Sequence, residues 1–214
     1  PPQPGHTHPP HRFETQQPKL GACVTDPGLS RGLSASEILA LNTYDFMAHL
    51  GKSVINPGGL KGRDQVLAAL NPRHGARILE IGCGTGHAAC YIARRYHGEV
   101  TAVDVSPAMV KVAAGQVHAE NLQDQVQCEL ADVTRLPFPD ESFDYVISQA
   151  VLMFVDKQRA LVEIQRVLRP GGRFAGLEFS WKREPPETVR QTTYQICGCR
   201  PLEFHSARGW GRML

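Results

Sequence analysis

From residue 77 onward, short apolar runs alternate with longer, helically spaced ones. Ile78, Leu79 and Ile81 make the first short run, a buried strand; Ala88, Ala89, Tyr91, Ile92 and Ala93 then recur through a helical stretch from His87 to Tyr96. Glu99–Val105 is a second strand and Pro107 to about Ala119 a second helix, opened by Ser106 as N-cap with proline at the first helical position. Val126–Ala131 and Tyr145–Gln149 are the third and fourth strands, and Leu152–Val155 is a short apolar turn. Asp156 caps a helix whose Ala160, Leu161, Ile164, Val167 and Leu168 share one face. Arg169-Pro170-Gly171-Gly172 is expected to end that helix, since glycine suits a C-cap and proline cannot continue it. Arg173–Phe179 is the fifth strand. Four successive strand–helix units imply an α/β fold: a doubly wound, mostly parallel sheet with helices on both faces and right-handed crossovers.

The flanks follow other patterns. Residues 1–20 are rich in proline and histidine and lack a hydrophobic period, which predicts a disordered tail with His6, His8 and His11 solvated. Residues 21–72 form a predicted helical cap: a capping box at Ser34-Ala35-Ser36-Glu37 opens a helix carrying Ile38, Leu41, Tyr44, Asp45 and Met47. After a break at Val54–Gly59, a second helix runs from about Arg63 to Leu70. The α/β core occupies 73–180. Residues 181–214 are a helical segment: a loop at Trp181–Glu187, a helix from Thr188 to about Ile196, and another beginning at Ser206.

Candidate chemistry concentrates where strands end. Between the first strand and helix the chain reads Glu80-Ile81-Gly82-Cys83-Gly84-Thr85-Gly86-His87. Glycine permits positive φ and close approach of a ligand, and a helix start offers unpaired N–H groups. The glycines run G-x-G-x-G, and His87 stands where the dinucleotide fingerprint has its third glycine, which argues against a nicotinamide-dependent enzyme. Asp104 ends the second strand about 20 residues after the turn, where a carboxylate can accept both hydroxyls of a ribose.

The glycine turn with Glu80, Ser106-Pro107 after Asp104, Ala131-Asp132-Val133, and above all Leu136-Pro137-Phe138 followed by Ser142-Phe143-Asp144 and a hydrophobic strand are similar to the class I S-adenosylmethionine-dependent methyltransferases. Over residues 40 to 180 the chain most resembles the small-molecule, ubiquinone-biosynthesis-like type. That resemblance implies a Rossmann-like sheet, S-adenosyl-L-methionine as cofactor, S-adenosyl-L-homocysteine as product, and in-line methyl transfer to a small-molecule acceptor. The cofactor contacts it implies are Glu80, Gly82, Cys83, Gly84, Gly86, Asp104, Val105, Met109, Asp132, Val133 and Gln149, with Tyr44 and Gly59 from the N-terminal cap. Asp132 is the counterpart of the family's adenine-binding acid, and Met109 of the residue lying on the adenine. A general base is needed only if the acceptor loses a proton; Glu178, His87, Tyr44 and His49 are the candidates, and the sequence does not choose among them. Family members carry two more strands after the fifth, and residues 181–214 are too few for both. The sheet is therefore expected to lack its terminal antiparallel hairpin, leaving the fifth strand as an edge for a second copy or another partner to cover. A methyltransferase-like partner protein that binds no cofactor is the competing reading; the retention of Gly82, Gly84, Gly86, Asp104 and Asp132 together argues against it.

Composition narrows the remaining classes. Of 214 residues, 42% are hydrophobic and 21% charged, as in a globular domain, and the net charge of +2 gives no reason to expect nucleic acid or an anionic membrane surface. No apolar run approaches the ~20 residues that span a bilayer. No signal segment opens the chain, and its first residue is proline, so a fragment or processed form is expected. Three of the six cysteines (Cys83, Cys90 and Cys128) fall in predicted buried elements, which suits reduced thiols in a cytoplasmic protein. Cys197-Gly198-Cys199 is the one close pair, and no metal site is expected there.

Overall fold

The structure, a computed structural model, describes Ser36, residues 58–197 and residues 203–213. The predicted tail, nearly all of the first predicted helix with Tyr44, and also His49, Cys199 and the side chain of Cys197, lie outside the described residues. In chain order the elements are α1 (Gly59–Leu70), β1 (Arg77–Ile81), α2 (His87–Tyr96), β2 (Glu99–Asp104), α3 (Pro107–Ala119), β3 (Val126–Leu130) and β4 (Phe143–Gln149). A 3-10 turn (Leu152–Phe154), α4 (Lys157–Val167), β5 (Leu168–Leu177), β6 (Ser180–Trp181), α5 (Glu187–Cys197), β7 (His205–Ser206) and α6 (Ala207–Trp210) follow.

β1 to β5 form one parallel sheet in the order β3-β2-β1-β4-β5. The chain winds outward from β1 to β3, then returns to β4, so the strand order reverses beside β1. In a doubly wound sheet a ligand crevice opens at that reversal. Every residue of β1 after Arg77 is buried, because its two faces meet two cores. Ile78 joins Val66, Leu67, Ala89, Ile92, Val100, Ala113 and Ile147 under α1, α2 and α3. Leu79 and Ile81 join Val103, Val146, Leu152, Ala160 and Ile164 under α4. Glu80 shares the α2 side with Ile78 by strand alternation.

Three expectations are corrected. Arg169-Pro170-Gly171-Gly172 is not a helix C-cap. Leu168 is already extended at φ −76 and ψ 135, its N–H closes α4 on the Ile164 carbonyl, and pairing with β4 jumps from Phe143↔Leu168 to Tyr145↔Arg173. The four residues are a bulge inside β5, with Gly171 at φ 77. Second, the connection from β3 to β4 contains no helix, so only three of the crossovers are helical. Pro137 and Pro139 oppose a helix there. Arg166 holds the segment instead, donating to the carbonyls of Leu136 at 3.0 Å and Phe138 at 2.7 Å. Third, Trp181 does not open a loop but forms, with Ser180, a short strand paired in parallel with His205–Ser206, and the helix expected from Ser206 is the single turn α6. Among the described residues no antiparallel hairpin follows β5, which forms an edge of the five-stranded sheet.

Candidate active site

The glycine turn between β1 and α2 is shaped by contacts that leave no room for side chains. Gly82 has φ +67, and a Cβ on it would overlap Cγ2 of Val151. Gly86, the N-cap of α2, has φ +80, and a Cβ there would lie 3.0 Å from Cα and Cβ of Ala113 on α3. Both positions therefore require glycine on two counts, conformation and space. Cys83 N–H donates to the Val103 carbonyl at 2.9 Å and Gly86 N–H to the Cys83 carbonyl at 2.9 Å, so the turn is fastened to the end of β2. Gly84 faces open space.

Asp104 completes the fastening. Its Oδ2 accepts from Gly84 N–H at 2.9 Å and its Oδ1 from Ser106 N–H at 2.9 Å, tying the turn to the start of α3. Ser106 Oγ accepts from Met109 N–H at 3.2 Å, the N-cap expected from the sequence. Beneath the turn Glu80 is 4% exposed, and its Oε2 has no hydrogen-bond partner among the described residues. Burial, then the charge of Asp104, push its carboxyl up to about 8 against an opposing hydrogen bond from Ala89 N–H. The acid is therefore mostly protonated at neutral pH.

The other candidates take varied positions. Val105 follows β2 and is 71% exposed, an apolar surface beside Asp104. Met109 and Val133 are buried, Val133 with Leu136 in the α4-side core, so both present little side-chain surface to the edge. Asp132 lies just past β3, where its Oδ1 accepts from Thr134 N–H and Oγ1, both at 2.8 Å. Gln149 ends β4. Cys83 is buried, and burial holds its thiol far above the usual range, so it is inert. His87 is the first residue of α2, and Gly59 of α1. Glu80, Gly82, Gly84, Gly86 and Asp104 thus converge on the carboxyl ends of β1 and β2, with Gln149 next to them on β4.

Glu178 is built into the backbone beyond β4. Its Oε1 accepts from Val151 N–H at 3.1 Å and Leu152 N–H at 3.0 Å, while Oε2 is buried without a partner. Burial raises its pKa, and those N–H groups oppose the rise. It holds in place the Val151 that packs on Gly82. Two features nearby were not foreseen from the sequence, the full burial of Ser148 at the strand end and the enclosure of Lys157. Ser148 on β4 is fully buried, and its Oγ has no partner among the described residues. Lys157, 3% exposed, donates from Nζ to Glu203 Oε2 at 3.0 Å. A lysine directly after an N-cap carries no sequence signal of burial; the pairing spans 46 residues.

Residues 79–176 match the methyltransferase domain family. The chain is 32% identical over 170 residues to the uncharacterized methyltransferase YodH of Bacillus subtilis (strain 168), covering 79% of this chain and 71% of that protein. The chain belongs to the class I S-adenosylmethionine-dependent methyltransferases. The chain is also 40% identical over 127 residues to the ubiquinone/menaquinone biosynthesis C-methyltransferase UbiE of Hahella chejuensis (strain KCTC 2396), covering 58% of this chain and 50% of that one. Among solved structures, phosphoethanolamine N-methyltransferase 2 of Haemonchus contortus in complex with S-adenosyl-L-methionine superposes with a TM-score of 0.68 at 25% identity, covering 84% of this chain and 40% of that one. Apart from YodH, the chain spans about half the length of the first curated relatives it matches.

Proposed function

We propose that this methyltransferase binds S-adenosylmethionine at the carboxyl ends of β1, β2 and β4 and transfers a methyl group to a small-molecule acceptor by in-line displacement, leaving S-adenosylhomocysteine. One observation carries the reading: the Asp104 carboxylate joins the glycine turn to the start of α3, making turn, acid and helix one surface beside the reversal of strand order. Other features fit the cofactor. An orphaned Glu80 oxygen lies beneath the turn, Gly84 faces open space, and Val105 offers exposed apolar area at the strand end. The kinship to YodH and UbiE supports the same reading.

S-adenosylmethionine, when bound, supplies an electrophilic methyl carbon on a cationic sulfur. The chain's residues bind and orient. Asp104 is assigned the ribose hydroxyls, Asp132 the adenine amino group, Val105 the adenine face and Gln149 the methionine end. Glu80 is the acid that gives up its proton when positive charge is brought over the turn. The fixed turn supplies orientation, the main protein contribution to a displacement of this kind. Glu178 is assigned a positioning role through Val151, and His87 is the candidate base if the acceptor loses a proton. Residues 73–180 are the cofactor-binding core, 21–72 its cap, and 181–214 the acceptor-side segment. Calorimetric titration of the 214-residue chain with S-adenosylmethionine, beside an Asp104→Ala variant, tests the reading. Micromolar binding that the variant loses is expected. No heat from a folded, monodisperse sample would favour the partner protein that binds no cofactor.

A further inference from the structure

We propose that the cleft between residues 180–184 and 206–212 binds a phosphoryl group, and that the methyl acceptor of this chain is therefore a phosphate or diphosphate ester. The proposal rests on the methyltransferase reading and adds to it the charge of the substrate. The cleft is open to solvent and has a volume of about 850 Å³, within the range of small-molecule sites. One wall is β6 and the loop after it; the other is β7 with α6. They are held together by the β6–β7 pairing, by Ser180 Oγ donating to the His205 carbonyl at 2.7 Å, and by Trp181 set edge-on against Phe204 at 5.5 Å.

The cleft follows directly from the sheet edge assigned to the cofactor. Ala150 N–H, just past β4, donates to the Leu177 carbonyl at 2.7 Å, and Val151 N–H to Glu178, so β5 leaves the sheet beside the end of β4. Three residues after Leu177 the chain enters β6 and the cleft wall.

Its charge is the deciding feature. Lys182 and Arg183 line one wall and Arg208 and Arg212 the other, against the single carboxylate of Glu184. The lining thus carries a formal charge of +3, more than the +2 of the whole chain. Glu184 is itself engaged by Arg190 at 3.4 Å, and none of the four cations forms an ion pair with a described carboxylate. Elsewhere Arg63, Arg73, Arg94, Arg166 and Arg169 each face one, while Arg95, Arg135 and Arg173 do not. Four cations lining one cleft with a single carboxylate repel, and a multiply charged anion bound there reduces that repulsion. Three of the four are guanidinium forks, whose paired N–H groups match phosphate oxygens bidentately.

The test is titration of the full chain with inorganic pyrophosphate and with inorganic phosphate, by calorimetry and by the intrinsic fluorescence of Trp181 and Trp210 beside the cleft. The same titrations are run on Arg208→Gln/Arg212→Gln and on Lys182→Gln/Arg183→Gln, which alter exposed residues on opposite walls. Saturable binding that weakens with added sodium chloride and falls at least tenfold in each variant is expected. Pyrophosphate binding tighter than phosphate would assign a diphosphate ester, equal binding a monoester. No saturable binding of either anion by the wild-type chain, binding unchanged in both variants, or equally tight binding of succinate would overturn the proposal. S-adenosylmethionine titrated in parallel separates the two readings. Cofactor binding without anion binding sinks the cleft alone; anion binding without cofactor binding sinks the methyltransferase reading and leaves the anion site standing.

Discussion

Around the glycine turn, Gly84, Asp104 and Ser106 are joined at 2.9 Å and Gly86 is pressed onto α3; beyond β5, the chain rests on a two-residue strand pair, a one-turn helix and the Lys157–Glu203 contact. The first region is assembled from neighbouring parallel strands and the turns between them. The second has few backbone bonds and leaves Trp181 Nε1 and Trp210 Nε1 buried without partners among the described residues. Buried polar atoms without partners weaken a segment, because each has given up water for nothing in return. A fixed edge proposed for the cofactor, beside a loosely held segment proposed for the acceptor, is the arrangement expected when one reagent is common to a family and the other varies.

The largest effect that would test the rigidity of the first region involves Glu80. Its carboxyl titrates at about 8 in the folded chain, against 4.5 when unfolded, through burial and the charge of Asp104. Between those values the unfolded chain has released the proton and the folded chain keeps it, so stability falls as pH rises. Below that window nothing is lost; above it the loss is complete, on the order of 5 kcal/mol at about 1.4 kcal/mol per unit. Urea unfolding from acid to mildly alkaline pH should show the wild type losing stability relative to Glu80→Gln. Parallel curves would show that Glu80 does not keep its proton on folding.

Next in size is Asp104→Ala, which strips the acceptor from Gly84 and Ser106 N–H groups together. It should weaken S-adenosylmethionine binding by about 100-fold, near 2.7 kcal/mol, in a calorimetric titration. A shift under about threefold would mean that Asp104 holds the turn but not the ligand. A pair of glycine substitutions then contrasts the regions directly. Gly86→Ala meets positive φ and the Ala113 backbone and should cost about 2 kcal/mol. Gly209→Ala, in α6, gains helix propensity and meets only the His205 side chain at 3.1 Å, so it should fall within about 1 kcal/mol of neutral. Equal losses in thermal or urea unfolding would erase the distinction between the regions.

The sheet and its edge were legible because period-two and period-3.6 patterns report which faces are buried, and β1 to β5 and α2 to α4 each carry one. The glycine turn and Asp104 were legible because spacing along the chain fixes spacing at a strand end. Other features depend on partners far along the chain, which a local pattern does not reveal. Pro137 and Pro139 speak against a helix in the third crossover, yet what holds that segment is Arg166, 26 to 30 residues away. The bulge at Arg169–Gly172 has the composition of a helix stop and differs only in that Leu168 is already paired to Phe143. Burial of Lys157 and capture of the Val151 turn by Glu178 likewise need partners that no periodicity announces.

The smallest expected effect probes the latch of the second region. Lys157 Nζ is almost fully enclosed while its partner Glu203 is 56% exposed, and Glu203 N–H also donates to the Met153 carbonyl at 2.7 Å. The hydrogen bond from Lys157 holds the Glu203 carboxyl below its ordinary range, so the pair stabilises above the usual carboxylate range and is lost as pH falls through the lowered value. Removing one partner is not equivalent to removing the other. Glu203→Ala leaves a buried ammonium uncompensated, whereas Lys157→Met replaces that ammonium with an apolar chain of similar length. Glu203→Ala should cost roughly 1 kcal/mol, a figure kept small because solvent screens the exposed carboxylate. Lys157→Met should be close to neutral, and Glu203→Ala should cost little more once Lys157→Met is present. Hydrogen exchange gives the second readout: Glu203→Ala should speed exchange of the amides in β7 and α6 while leaving β1 and β2 unchanged. Equal acceleration in both places would mean that the glycine-turn edge and the acceptor segment open together, as one cooperative unit.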